Sequence, residues 1–245
     1  MSELTLAEIG RILADSVGLE TQIVCVSGSD RVPESGVRAS AISCCLASAI
    51  YQMATGIISG PLYAGHEENL PFCRCMGGPA WFGYSAFDPR LMSLLASGSE
   101  DLKGLAPKHL KKSREIARDT IDSIGKITPL GRYVVMRCCS DLQNGQNVRC
   151  IICFADGEQI RDLCALAHFA SNDAFDAISI PWGPSCATMV TYPAGMAENA
   201  PSDNLFIGPT DPSAREWLPK EQMIMGIPAN IAGRMAECAE RSFII

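Results

Sequence analysis

Residues 133–170 read YVVMRCCSDLQNGQNVRCIICFADGEQIRDLCALAHFA, and the change of pattern inside them decides the fold class. Two apolar runs, 133–139 and 148–154, have the length and the Val/Ile content of buried strands. Asn144-Gly145 between them is a hairpin signal, so the two runs are expected to pair directly. From 158 to 170 the period changes: Ile160, Leu163, Cys164, Ala167 and His168 fall on one helical face. Strands leading into amphipathic helices are the repeating unit of an α/β fold.

Working outward, the spacing of Leu6, Ile9, Ile12 and Leu13 predicts a helix over 4–17. A strand follows at 22–26, then a Gly/Ser/Pro loop through Pro33 and Gly36. A helix of small residues is expected over 39–53, ended by Gly56, and a strand over 57–64. A loop bearing His66, Glu67 and Glu68 leads into CRCMGGPAWFGY at 73–84. A charged helix is expected over 108–125. Downstream, a strand at 177–180 precedes WGPSCATM at 182–189, read as a strand-to-helix turn. Strands at 204–208 and 222–227 and a helix at 231–241 close the chain. The expectation is one α/β (or α+β) domain over 1–245, a mixed sheet flanked by helices, with an N-terminal helix inside 1–20. A faint echo between 73–84 and 182–195 suggests two weakly related halves, with Cys75 and Cys186 at related, facing positions.

Composition excludes several classes. The chain is 47% hydrophobic and 19% charged, which fits a globular protein and not a disordered one. Its net charge of −7 argues against a nucleic-acid partner, whose phosphates reward clustered cations. The one basic cluster, Lys108, Lys111, Lys112, Arg114 and Arg118, reads as the wet side of a helix diluted by Glu115, Asp119 and Asp122. The apolar stretch 41–50 is interrupted by Ser and too short for a bilayer, so no membrane partner is expected. The opening MSELTLAEIG lacks a basic segment followed by an apolar core, so a cytoplasmic protein is expected. A homo-oligomer remains open.

Twelve cysteines are the anomaly. In a reducing compartment they are expected to be apolar filler, metal ligands or reactive thiols and not disulfides. Cys73-Arg74-Cys75-Met76-Gly77-Gly78 is the densest motif. Gly77 and Gly78 at a helix entry let backbone N–H groups approach a ligand, and a helix N-terminus favours a thiolate. Cys186 lies in the similar turn Gly183-Pro184-Ser185-Cys186, which makes Gly183 a further cofactor-binding candidate. Cys44 and Cys45 are adjacent on the expected small-residue helix, so one of them at most faces a given site. Cys150-x-x-Cys153 sits inside an uninterrupted strand, where positions three apart face opposite ways, so it is set aside. Cys138-Cys139 is set aside likewise. Cys164 and His168 are four apart on a helix but fall on its apolar stripe. His66, just before the Cys motif, is a candidate acid, base or ligand. Common nucleotide-loop and hydrolase motifs are absent.

These segments together resemble the domain-of-unknown-function 169 family, the ArCR group of archaeal and bacterial proteins. CMGGPAWFGY looks like the family's C-x-G-G-x-x-x-L-G segment. NVRCIICFADGEQIRDL, WGPSCATMVTYPAG, NLFIGPTDPSAREW and KEQMIMGIP follow in the family's order. The likeness runs from about residue 22 to the C-terminus. It implies one α/β domain with a Cys-bearing pocket, its cysteines falling on Cys75, Cys186 and Cys44 or Cys45. Two departures stand out: Gly208-Pro209-Thr210-Asp211-Pro212 replaces a Cys-Asn-Gly-Asp-Arg-like turn, and Cys73 is extra.

Three functions follow as expectations. The first is a cofactor-binding protein in which Cys73 or Cys75, Cys186 and Cys44 or Cys45 hold an iron–sulfur centre or another thiophilic metal. The second is an enzyme using a Cys75 or Cys186 thiolate as nucleophile, with His66 as base, acting on a small molecule. The third is a non-catalytic binding or assembly module whose cysteines only pack.

Overall fold

The computed structural model describes residues 4–43, 45–65, 72, 73, 75, 77–97, 106–142, 146–211 and 216–243. Helix α1 (Leu6–Val17) begins at a capping box in which Thr5 and Glu8 satisfy each other's backbone N–H, and it ends at left-handed Gly18. Strand β1 (Val24–Ser29) follows, then β2 (Val37–Arg38), α2 (Ala39–Ile42), α3 (Leu46–Ala54) and β3 (Leu62–Gly65). The expected helix over 39–53 is therefore two. Ser43 and Cys45 are extended, and the Ser43 hydroxyl accepts the Cys45 backbone N–H at 3.3 Å. A serine side chain bonding nearby backbone competes with helix in this way.

Helices α4 (Gly78–Trp81), α5 (Pro89–Leu95) and α6 (Arg114–Asp122) lead to β4 (Tyr133–Cys138). The expected charged helix shortens because Ser113 caps α6 by accepting the Ile116 N–H. Ahead of that cap the chain runs back along α5, with the Lys108 and Lys111 N–H groups on the carbonyls of Leu94 and Leu95. The remainder is β5 (Val148–Ala155), α7 (Gly157–His168), β6 (Ile178–Ser179), a π-helical turn (Ala187–Thr191), β7 (Leu205–Gly208), β8 (Met223–Pro228) and α8 (Ala229–Ala239). Among the described residues no helix is long and apolar enough to cross a membrane.

Among the described residues eight strands form one mixed sheet in the order β2-β3-β4-β1-β5-β8-β7-β6. The expected pairing of 133–139 with 148–154 is corrected: β1 lies between β4 and β5 and pairs antiparallel with both. Asn144 and Gly145 lie outside the described residues. The hairpin signal is local, whereas the pairing of both runs with β1 is set by contacts distant in sequence.

Alternate residues of the central strands feed two cores. Val24, Val26, Cys150, Ile152 and Phe154 face one, under α3 to α6 and the π-helical turn. Ile23, Cys25, Ile151, Cys153 and Ala155 face the other, under α1, α7 and α8. With both faces covered, the strands read as continuous apolar runs. Cys150 and Cys153 fall in opposite cores, as their spacing demands. Cys25 and Cys139 form a disulfide, which overturns the expectation that no cysteines pair. Its partners are 114 residues apart in sequence and meet only because β1 pairs with β4, so spacing alone could not reveal them.

The two halves of the sheet repeat one topology. Read outward from the β1–β5 seam, the order is 1-4-3-2 on one side and 5-8-7-6 on the other. The outermost pairs, β2–β3 and β6–β7, are the parallel ones, and their registers agree: Val37 faces Leu62 as Ile178 faces Leu205. Cys45 stands seven residues after Arg38, and Cys186 stands seven after Ser179. Each opens the helical segment that crosses between its parallel strands. The echo is real at the level of topology, but its pairing is corrected. Cys186 matches Cys45, while Cys75, between β3 and β4, matches the β7–β8 connection that carries Asp211.

Candidate functional site: a cysteine-lined cavity

Cys45, Cys75 and Cys186 line one cavity of about 220 Å³ on the α3–α6 side of the sheet. Each arrives from a different connection. Cys45 stands at the N-cap of α3 with no hydrogen bond from the helix backbone to its side chain, and the nearby Ala47 and Ser48 N–H groups favour its charged form. The Ala47 N–H also favours a charged Cys186, so the N-terminus of α3 favours charge on both thiols. That terminus carries partial positive charge. Cys186 opens the π-helical turn, which lies flat on the sheet because Gly208 and Gly226 beneath it have no side chain. A Cβ at either position would collide with Thr188. Cys75 hydrogen-bonds with the Cys45 thiol.

Two of these thiols are held protonated. The Cys45 thiol is pushed up by its hydrogen bond to Cys75, then by burial and by the neighbouring Cys75 charge. Cys186 is pushed well up by burial, then by Cys45 and Cys75. Thiols crowded in a dry site resist ionisation, and a cation among them reverses that preference. Among the described residues no three His, Cys, Asp or Glu side chains are arranged to hold a single metal ion.

Other candidates divide. Cys73 is buried behind the turn, its thiol donating to the Cys75 carbonyl at 3.9 Å and packing where a Cβ on Gly78 would lie. Gly78 lines the cavity, and Gly77, at φ 90°, takes the left-handed turn that glycine favours. Gly183 serves packing: a Cβ there would lie 2.9 Å from the Ala187 Cβ. Cys164 and His168 sit on α7, at the other core. His66 and Cys44 lie outside the described residues.

Several lining groups escaped the sequence reading. Trp81, Trp182 and the α5 leucines 91, 94 and 95 form apolar walls. Lys108, read as part of a solvated helix face, stands at the mouth, and the Lys111 Nζ lies 4.5 Å from the Trp182 ring centroid. Ser185 and Asp211 are buried in the wall, and the Asp211 N–H donates to the Gly183 carbonyl at 3.1 Å. An Asp in a Gly/Pro turn just after a strand was the available signal for this residue.

Fold and site together define a mixed-sheet α/β domain, its two halves alike in strand order, with a three-cysteine cavity. No curated protein and no solved structure matches the chain. The chain belongs to the domain-of-unknown-function 169 family, described as uncharacterised ArCR, whose model matches residues 12–238.

Proposed function

We propose that the protein binds an iron–sulfur centre, or another thiophilic metal, through Cys45, Cys75 and Cys186. The observation that carries the reading is the arrival of three thiols from three separate connections in one apolar-walled cavity. Thiolates are soft ligands, and the α3 N-terminus favours their negative charge. A cluster suits the site better than a lone ion. In a four-iron cluster each thiolate meets a different iron, so its cysteines stand further apart than around a single ion. The raised thiol values count against a free thiolate nucleophile, because metal-free Cys45 and Cys186 remain neutral near pH 7. The reading keeps the expectation of a cytoplasmic protein, to which the Cys25–Cys139 disulfide is an exception, with a metal or small molecule, and neither nucleic acid nor membrane, as its ligand.

Purification without oxygen, followed by iron, sulfide and visible-absorption measurements, tests it. Stoichiometric iron and sulfide are expected in the intact chain and in Cys73→Ser, with loss in Cys45→Ser and Cys186→Ser. Metal-free protein after strictly anaerobic preparation sinks the proposal.

A further inference from the structure

Resting on that reading, we infer that Asp211 supplies the fourth ligand, so that three thiolates and one carboxylate surround the centre. The strand order repeated in the two halves carries the argument. Cys45 and Cys186 are equivalent, each seven residues beyond the first strand of a parallel pair. Cys75 lies in the connection from the second strand of that pair to the next, β3 to β4. Its equivalent is the connection β7 to β8, and the described residue of that connection lining the cavity is Asp211. A pseudo-twofold site thus takes a Cys/Cys pair from the parallel crossovers and a Cys/Asp pair from the following connections.

Two further observations agree, beside the burial of Asp211, which already has a partner of its own and so points to no ligand by itself. The Asp211 backbone is tied to Gly183, at the head of the turn that carries Cys186. Ser185, 2% exposed and lining the same cavity, has a hydroxyl with no hydrogen-bond partner among the described residues. A buried orphan hydroxyl costs free energy unless something in the cavity receives it, and a ligated sulfur or carboxylate oxygen is such an acceptor. The carboxylate is the harder donor of the four, so the iron it holds is the one most open to exchange. Lys108 stands at the mouth of the cavity, where an entering anion would meet it.

The test uses the full chain, prepared anaerobically and reconstituted with Fe²⁺ and sulfide, alongside Asp211→Cys and Asp211→Asn. Asp211→Cys is expected to retain iron while changing the electron paramagnetic resonance spectrum of the reduced centre and its midpoint potential. Asp211→Asn is expected to lose iron to a chelator about tenfold faster or more. Circular dichroism checks that both variants fold, and the Cys variant keeps the test open if Asn does not. If both variants keep the intact chain's spectrum, potential and chelator resistance, Asp211 is not a ligand. If the intact chain takes up no iron, the cluster reading fails and this inference falls with it, so the two failures are told apart.

Discussion

At the residue scale, the Cys73–Gly78 contact shows how tightly the candidate site is backed. A Cβ at Gly78 would occupy the space of the Cys73 sulfur. Gly78→Ala is therefore expected to cost about 1–3 kcal/mol in urea unfolding, by overpacking. Adding Cys73→Ala should return most of that loss; an unchanged deficit in the double variant would mean that the backbone, not the sulfur, sets the limit. The motif cysteines were legible because Cys among Gly and Pro at a helix entry is an unusual composition with a physical use. Asp211, Ser185 and Lys108 were not, because an Asp in a turn, a buried Ser and a Lys in a basic run each have commoner explanations. Only the fold shows that they share a cavity.

At the scale of elements, pattern located most helices and strands within a few residues, and failed where partners are distant. Period 2 and period 3.6 are local properties, so β4, β5 and α7 were readable; which strand lies beside which is decided by long-range pairing. The Cys25–Cys139 bridge belongs to the same class of hidden fact. It ties β1 to the short 3₁₀ turn after β4, under α1, where Gly10 packs against Cys139. Replacing both cysteines by Ala is expected to lower unfolding free energy by roughly 2–5 kcal/mol, given the long loop it closes. Denaturant titration with and without reductant checks this, since reductant should erase the difference between the intact and the substituted chain.

For the whole molecule, two buried cores full of thiols set the pH response. Burial raises Cys153 to about 12 and Cys164 to about 11. Burial, with the Asp141 charge second, takes Cys138 to about 11. An unfolded thiol titrates near ~8.5. A thiol whose folded value is raised holds its proton more tightly when folded. Its contribution to stability is complete below the unfolded value and is lost as pH climbs through the folded one. Urea midpoints should thus be level around neutrality and fall between about pH 9 and 11, with a shallower fall in Cys164→Ala. A steep loss of stability on the acid side of neutrality, with none above about pH 9, would assign the pH response to other groups.

The seam between the two halves also fixes an order of events as the chain is made. Strand β1 emerges first of the eight, yet both of its neighbours, β4 and β5, are synthesised more than a hundred residues later. Until residue 155 has emerged, the middle of the sheet cannot close. The apolar run of β1 therefore waits without either neighbour, and loop-closure entropy weighs on the seam more than on any other pairing. The centre thus closes while β6, β7 and β8 are still to come, and the cavity can receive its occupant only after the later half has supplied Cys186 and Asp211.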